Sequence, residues 1–308
     1  MTYRLLTYAV SKAEARAGIE VGGAVYDAAK AAGVAAWSNV PAILEDWKKA
    51  KKALADAAKR IAAGKSRLKG TPLAKTRLRA PLLPGAIYCA GANYSDHVNA
   101  MAKAQGMPPP VNPKTLGLKS WHFQKAPRSS VVGPDAAVRI PSPMMDWEIE
   151  LAAVIGVTAK NVPVEKALSH VAGYTIANDL SARDLGKRPH VPDASPFKWD
   201  WIGQKNFDGC CPLGPWIVPA SDIRDPQNLG MKLWVGSELM QDANTGLMIY
   251  SLADQIADIS GRITLNPGDL ILTGTPCGVG MERGRFLQPG EVVKLWIEKI
   301  GELSNKMV

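Results

Sequence analysis

The chain has 308 residues, 46% of them apolar and 21% charged, enough to bury a substantial core in one large domain or two modest ones. No stretch approaches the roughly 20 apolar residues that span a bilayer, and the N-terminus lacks the apolar core and cleavage site of a secretory signal. The formal charge of +9 raises nucleic acid as a partner, but residues 1–84 hold 16 Lys and Arg against 6 Asp and Glu, and the remainder 21 against 22.

That basic excess falls largely between Lys48 and Arg79, on a predicted helix and its linker, with no recognition motif beside it. A solvated basic face is the simpler reading, and no nucleic-acid partner is expected. Such a surface could still steer anionic substrates. Four cysteines (Cys89, Cys210, Cys211 and Cys277) show no CxxC spacing, so neither a zinc site nor a disulfide framework is indicated. A reducing cytoplasm is the expected setting.

Residues 3–9 and 18–26 read as two short strands around glycine, a hairpin pattern. Residues 42–63 carry apolar residues at helical spacing, ending at Gly64 with basic residues in the last turns. The proline-punctuated stretch 72–86 reads as a linker. Together these predict a small α+β domain over residues 1–84. The region 85–308 differs: a strand over 86–92, a helix start in NYSDHVNAMAKAQG, a loop over 102–118, then many short β-type runs separated by Gly and Pro. Two convincing helices intervene, near 164–169 and 251–261. Strand-rich sequence with sparse helices predicts a mostly β, α+β protein built on a sandwich, roll or barrel rather than a doubly wound sheet.

The densest chemical signal is PMMDWEIELAAVIG, where Asp146, Glu148 and Glu150 alternate inside an apolar run. In an extended strand these three share one face, and a row of like charges there is repulsive. A cation would relieve it. Carboxylate-only ligation favours a hard ion such as Mg²⁺, Mn²⁺ or Ca²⁺ over Zn²⁺. The alternative on spacing alone is a half-exposed strand whose acids pair with Lys and Arg. Asp179 in YTIANDLSARDL stands where an apolar strand gives way to a polar turn, as a functional acid or as a helix N-cap. Lys205 is flanked by aromatics. GDLILTGTPCGVG places two threonines and several glycines after an apolar strand, a turn able to present N–H groups and hydroxyls to an anion. It lacks the GxxxxGK[ST] pattern, so nucleotide binding is not supported.

Taken together, GANYSDH, FQKAPRSSVVGP, DWEIELAAVIG, ANDLSARD, KNFDGCCPLGP and GDLILTGTPCGVG, in that order over about residues 84–308, resemble the fumarylacetoacetate hydrolase family. The resemblance implies a mixed β-sandwich or roll in that region, a divalent cation (Mg²⁺ or Mn²⁺) and a homodimer. It also implies a small-molecule 2-oxo or dioxo acid substrate. Matched residue by residue, it implies Glu148, Glu150 and Asp179 as metal ligands, with Asp146 supporting them. Lys205 and His97 are then expected to be catalytic, and Thr275, Gly274 and Tyr94 to contact substrate. Arg183 would bind substrate or brace the carboxylates.

Three positions depart from the family pattern. Hydrolytic members often carry a glutamate three residues after the histidine, which orients the imidazole as a general base. Here that position is Ala100, leaving a replacement such as Asp193 or Asp200 to be supplied from elsewhere. Gly186 stands where many members have glutamine, and the segment 187–201 is long. The resemblance implies metal-stabilised enolate chemistry, leading to hydrolysis of a C–C bond in an acylpyruvate or 2,4-dioxo acid with His97 activating water. Decarboxylation or isomerisation of a 2-oxo acid, which needs no activated water, is the alternative.

Overall fold

The computed structural model describes residues 2–104 and 106–308, so Gln105 of the expected 102–118 loop lies outside the described residues. Its spine is an eleven-stranded, largely antiparallel sheet. Central in it are Ile149–Ile155, Val171–Asn178 and Cys211–Pro219, all buried along their full length. Burial on both faces explains why these strands read as near-continuous apolar runs. The odd-numbered side chains Ile149, Leu151, Ala153 and Ile155 enter one core with Trp147. Opposite them, Ala152 and Val154 enter a second core.

Against the first face packs a five-stranded sheet whose inward residues include Met231, Leu233, Val293, Leu295, Leu303 and Met307. The second face is covered in part by helices from the first third of the chain. The periodicity predicts one helix over 42–63; the structure has two, Val40–Glu45 and Trp47–Ala62, broken at Asp46. Asn39 caps the first of them through the N–H of Ala42. Trp47, Ala50, Leu54, Ala57 and Ala58 form the buried stripe of the second, whose small alanines let the helix lie close to the sheet. Arg4–Ala9 pairs with Ala15–Val21 as the expected hairpin, but the stretch 18–26 read as one strand turns at Gly22–Gly23 into Ala24–Asp27; the first strand also pairs with Cys211–Pro219 through Leu5 opposite Ile217. The architecture is therefore α+β and mostly sheet, as the sequence predicts, and of the forms that the sequence left open it is two packed sheets rather than a closed barrel.

The even-numbered face of Ile149–Ile155 changes character along its length. Val154 lies deep in the helix-covered core, whereas Glu148 and Glu150 occupy the same face at the strand's opposite end.

Candidate metal centre

Strand pairing creates the centre. Ile149 lies opposite Asn178 and Glu150 opposite Ala177, so the antiparallel ladder brings Glu148 alongside Asp179, whose N–H donates to the Glu148 carbonyl at 2.9 Å. Opposed residues in such a pair hold their side chains within contact range. The carboxylates of Glu148, Glu150 and Asp179 offer one oxygen each within 4.8 Å of one another, and all three residues are buried. A strand Leu270–Leu272 pairs with the same ladder and delivers the TGTP turn next to it. There Gly274, at φ +95°, donates its N–H to Glu150. A Cβ at that position would lie 2.9 Å from that of Asn93, so glycine serves both the backbone conformation and the close approach.

Cations surround two of the three acids. Lys205 Nζ lies 2.9 Å from both Glu148 Oε2 and Asp179 Oδ2. Lys125 Nζ lies 2.7 Å from Asp179 Oδ1, and Arg183 reaches Glu148 Oε1 and Asp146 Oδ2. Burial alone would push Lys205 down, but Asp179 and Glu148 outweigh it and hold its pKa above the usual lysine value. Burial likewise favours the neutral acid at Glu148, yet Lys205 and Arg183 bring its pKa down to about 2. Glu150 is the exception. Among the described residues no cation lies within ion-pair distance of it, and burial, then the charges of Asp179 and Glu148, raise its pKa well above the usual carboxylate range.

An uncompensated buried carboxylate beside two charged ones is what a divalent ion resolves. The all-oxygen donor set suits Mg²⁺ or Mn²⁺ better than a softer ion. Glu148, Glu150 and Asp179 thus fit a divalent cation. The pairing with Lys and Arg foreseen as the alternative is also present, but it leaves Glu150 unanswered.

Asp146 accepts from Arg183, from Gly280 at 2.6 Å and from Met281 at 3.1 Å, so it supports rather than joins the triad. The strand is in fact interrupted at Trp147–Glu148, which lets Asp146 turn to these donors. Arg183, left open between substrate binding and bracing, here braces Asp146 and Glu148. Thr275 is buried beside the triad, its hydroxyl accepting from Gln241 Nε2 at 2.9 Å. His97 lies on the helix Ser95–Ala104, within electrostatic range of Glu148. Tyr94 is wholly enclosed behind the TGTP turn, its ring beside Gly274 and its hydroxyl 3.3 Å from Met231 Sδ.

Ala100 leaves His97 without the expected helical partner, and the structure supplies another. His97 Nδ1 lies 2.6 Å from Glu282 Oε1. Neither suggested substitute reaches it: Asp193 pairs with Lys198, and Asp200 caps Gly203 and pairs with Arg188. Gly186 shows a parallel exchange, since a Cβ there would lie 2.3 Å from Gln204 Oε1. Gln204 fills the space that a larger residue at 186 would take.

Sequence reasoning missed Lys125, Gln241 and Glu282. Lys125 lies in the FQKAP motif, where a lysine ending a strand-like run was the available signal. Gln241 donates to Thr275, Pro276 and, at longer range, Cys277, and accepts from Ile149 N–H, tying strand to turn. Glu282 carries no local signal, being 185 residues from His97.

The fold and this cluster define a mostly β α+β protein with a buried three-carboxylate site for a divalent cation. The profile described as fumarylacetoacetate (FAA) hydrolase C-terminal matches residues 86–308. The chain belongs to the fumarylacetoacetate hydrolase family. Over 236 residues it is 42% identical to the oxaloacetate tautomerase fahd2, mitochondrial, of Xenopus laevis, covering 75% of this chain and 68% of that one. The fumarylacetoacetate hydrolase of Exiguobacterium antarcticum is 30% identical, with a TM-score of 0.75 and 99% of each chain covered. The maleylpyruvate hydrolase of Sphingobium sp. SYK-6, solved with manganese(II) and pyruvate, is 28% identical with a TM-score of 0.73 over 99% of this chain and 98% of that one.

Proposed function

We propose that this protein is a metal-dependent hydrolase that cleaves the C–C bond of an acylpyruvate or related 2,4-dioxo acid. The observation that carries the reading is His97, held by a carboxylate and within electrostatic range of Glu148 in the Glu148–Glu150–Asp179 cluster. Nδ1–H donation to a carboxylate fixes the tautomer with its lone pair on Nε2, the arrangement a general base needs. A divalent ion held by the three acids would supply the positive charge that stabilises an enolate.

His97 takes a proton from water as the water oxygen adds to the C4 carbonyl of the substrate. The C3–C4 bond then breaks, its electron pair passing to C3 as the enolate of pyruvate. His97 returns the proton to C3, giving pyruvate and a free carboxylic acid. Lys205 adds positive charge near the developing anion, and the turn at Gly274 and Thr275 holds the substrate carboxylate.

The relatives named oxaloacetate tautomerase favour a second reading: proton transfer between the keto and enol forms of a 2-oxo diacid, using the same base without hydrolysis. An assay of Mn²⁺-supplemented protein on acylpyruvates and oxaloacetate, with products identified by mass spectrometry and enol absorbance, separates the two. Pyruvate plus a carboxylic acid supports hydrolysis. Enol–keto interconversion, or CO₂ release, with acylpyruvates untouched would replace it with tautomerisation or decarboxylation.

A further inference from the structure

We infer that Glu282 is the positioning residue of His97, taking over from another part of the chain the role that a carboxylate at position 100 would play. This deepens the proposed function and rests on it for the identity of His97 as the base.

The geometry is specific. Glu282 Oε1 lies 2.6 Å from His97 Nδ1, while its second oxygen accepts the N–H of Gly278 at 2.6 Å. Both carboxylate oxygens are therefore committed, and the side chain has one orientation. The His97 and Glu282 side chains are only 11% and 12% exposed, so water competes weakly for the contact. At position 100 the alanine has no atom that could accept from the imidazole.

The segment bearing Glu282 is fixed independently. Its helical turn Gly280–Arg283 hangs on Asp146, which accepts the N–H groups of Gly280 and Met281. Gly280 has no room for a side chain, since a Cβ there would lie 2.1 Å from the Arg285 carbonyl. Asp146 in turn holds Arg183, and Arg183 holds Glu148. The N-terminal turn of the histidine's helix is tied to the same region, with Asp96 Oδ2 accepting from Cys277 N–H at 3.2 Å. A continuous set of hydrogen bonds thus runs from His97 through Glu282 and its turn, Asp146 and Arg183 to the acid triad. The base and the candidate metal ligand are positioned by one framework.

The test uses the full-length Mg²⁺-loaded protein and three variants: Glu282→Gln, Glu282→Ala, and the double variant Ala100→Glu with Glu282→Ala. With four histidines in the chain, the side-chain ¹H–¹⁵N spectrum is tractable, and His97→Gln assigns the resonance. A strongly downfield Nδ1–H proton is expected for His97 in the wild type, lost in Glu282→Ala and restored in the double variant. In turnover, Glu282→Ala should lower kcat by about 10- to 100-fold, as expected for removing a group that orients another, with little change in KM or Mn²⁺ affinity. Glu282→Gln keeps an acceptor and the contact to Gly278, so it reports if the alanine variant fails to fold; it should show an intermediate loss. Recovery of kcat in the double variant supports the assignment, because a merely structural defect at residue 282 would not be repaired from residue 100.

A wild-type spectrum without the downfield proton overturns the inference, as does a folded Glu282→Ala protein whose kcat stays within about two-fold of wild type. Loss of the proton in Glu282→Ala from a protein inactive on every 2-oxo acid supports the positioning contact while removing the hydrolytic reading, so the two failures are distinguishable.

Discussion

Lys125 Nζ lies 2.7 Å from Asp179 Oδ1 with the lysine side chain wholly enclosed. The same ammonium donates to the carbonyls of Leu180 at 2.9 Å and Lys205 at 2.7 Å. The contact to Asp179 is an ion pair, since Oδ1 of that acid has no hydrogen-bond partner among the described residues. Burial would lower this lysine's pKa, but the charge of Asp179 reverses the direction. It joins the end of one sheet strand to the backbone beside both Asp179 and Lys205.

Removing that charge leaves Asp179 to Lys205 alone and two carbonyls unpaired in the interior. Lys125→Met is expected to cost about 3–5 kcal/mol, the range for breaking one side of a buried ion pair. Urea unfolding of the metal-free proteins measures it. A loss within about 0.5 kcal/mol, the scale of an ordinary surface substitution, would show the contact to be dispensable.

Arg183 spans Asp146 and Glu148 with two different nitrogens, a fork that lysine cannot reproduce. If it braces these acids, Arg183→Lys and Arg183→Gln should both weaken Mn²⁺ binding by about 10- to 100-fold, the effect typical of outer-shell partners of a metal ligand. KM measured at saturating metal should change little. A large rise in KM with unchanged Mn²⁺ affinity would instead assign the guanidinium to substrate.

Glu150 gives the centre a pH signature. Burial, then the charges of Asp179 and Glu148, raise its pKa, so the metal-free protein holds a proton there above the usual carboxylate range. An incoming cation must displace it, and Mn²⁺ titrations in buffers of different ionisation enthalpy should report about one proton released per ion. Affinity should rise with pH until the elevated pKa is passed. Stability without metal runs the opposite way. A raised carboxyl contributes stability that is full below its unfolded pKa and lost as pH rises through the folded one. The Tm of EDTA-treated protein should therefore fall with rising pH above the ordinary carboxylate range, and saturating Mn²⁺ should flatten that fall. Metal binding with no proton release would contradict the assignment of Glu150.

Much of this was legible in the chain. The alternation of Asp146, Glu148 and Glu150 marked the strand end, whereas burial of the strand on both faces came only with the fold. Asp179 was legible as the acid closing a second strand, though only the register, Ile149 opposite Asn178, explains why it meets Glu148. What sequence spacing obscured was tertiary. Glu282 reaches His97 across 185 residues, and the local rule of helical spacing pointed to position 100, where there is no acid. Gln204 beside Gly186 shows the same limit. A side chain's role can pass to another part of the chain that the fold brings into the same space. Tyr94 shows a related limit, since a residue inside a site motif can be enclosed behind the backbone of the site's turn. The break at Asp46 escaped the helical pattern because the apolar stripe continues on both sides of it.

The most direct test of the centre is a calorimetric titration of Mn²⁺ into metal-free wild type and into Glu150→Gln, whose amide has the shape of the protonated acid. Wild type is expected to bind one ion per chain, and the variant to remain folded while losing more than the about 100-fold in affinity that outer-shell changes produce. Equal affinity in the two proteins, or no binding by the wild type, would contradict the assignment of Glu148, Glu150 and Asp179 as the site of a divalent cation.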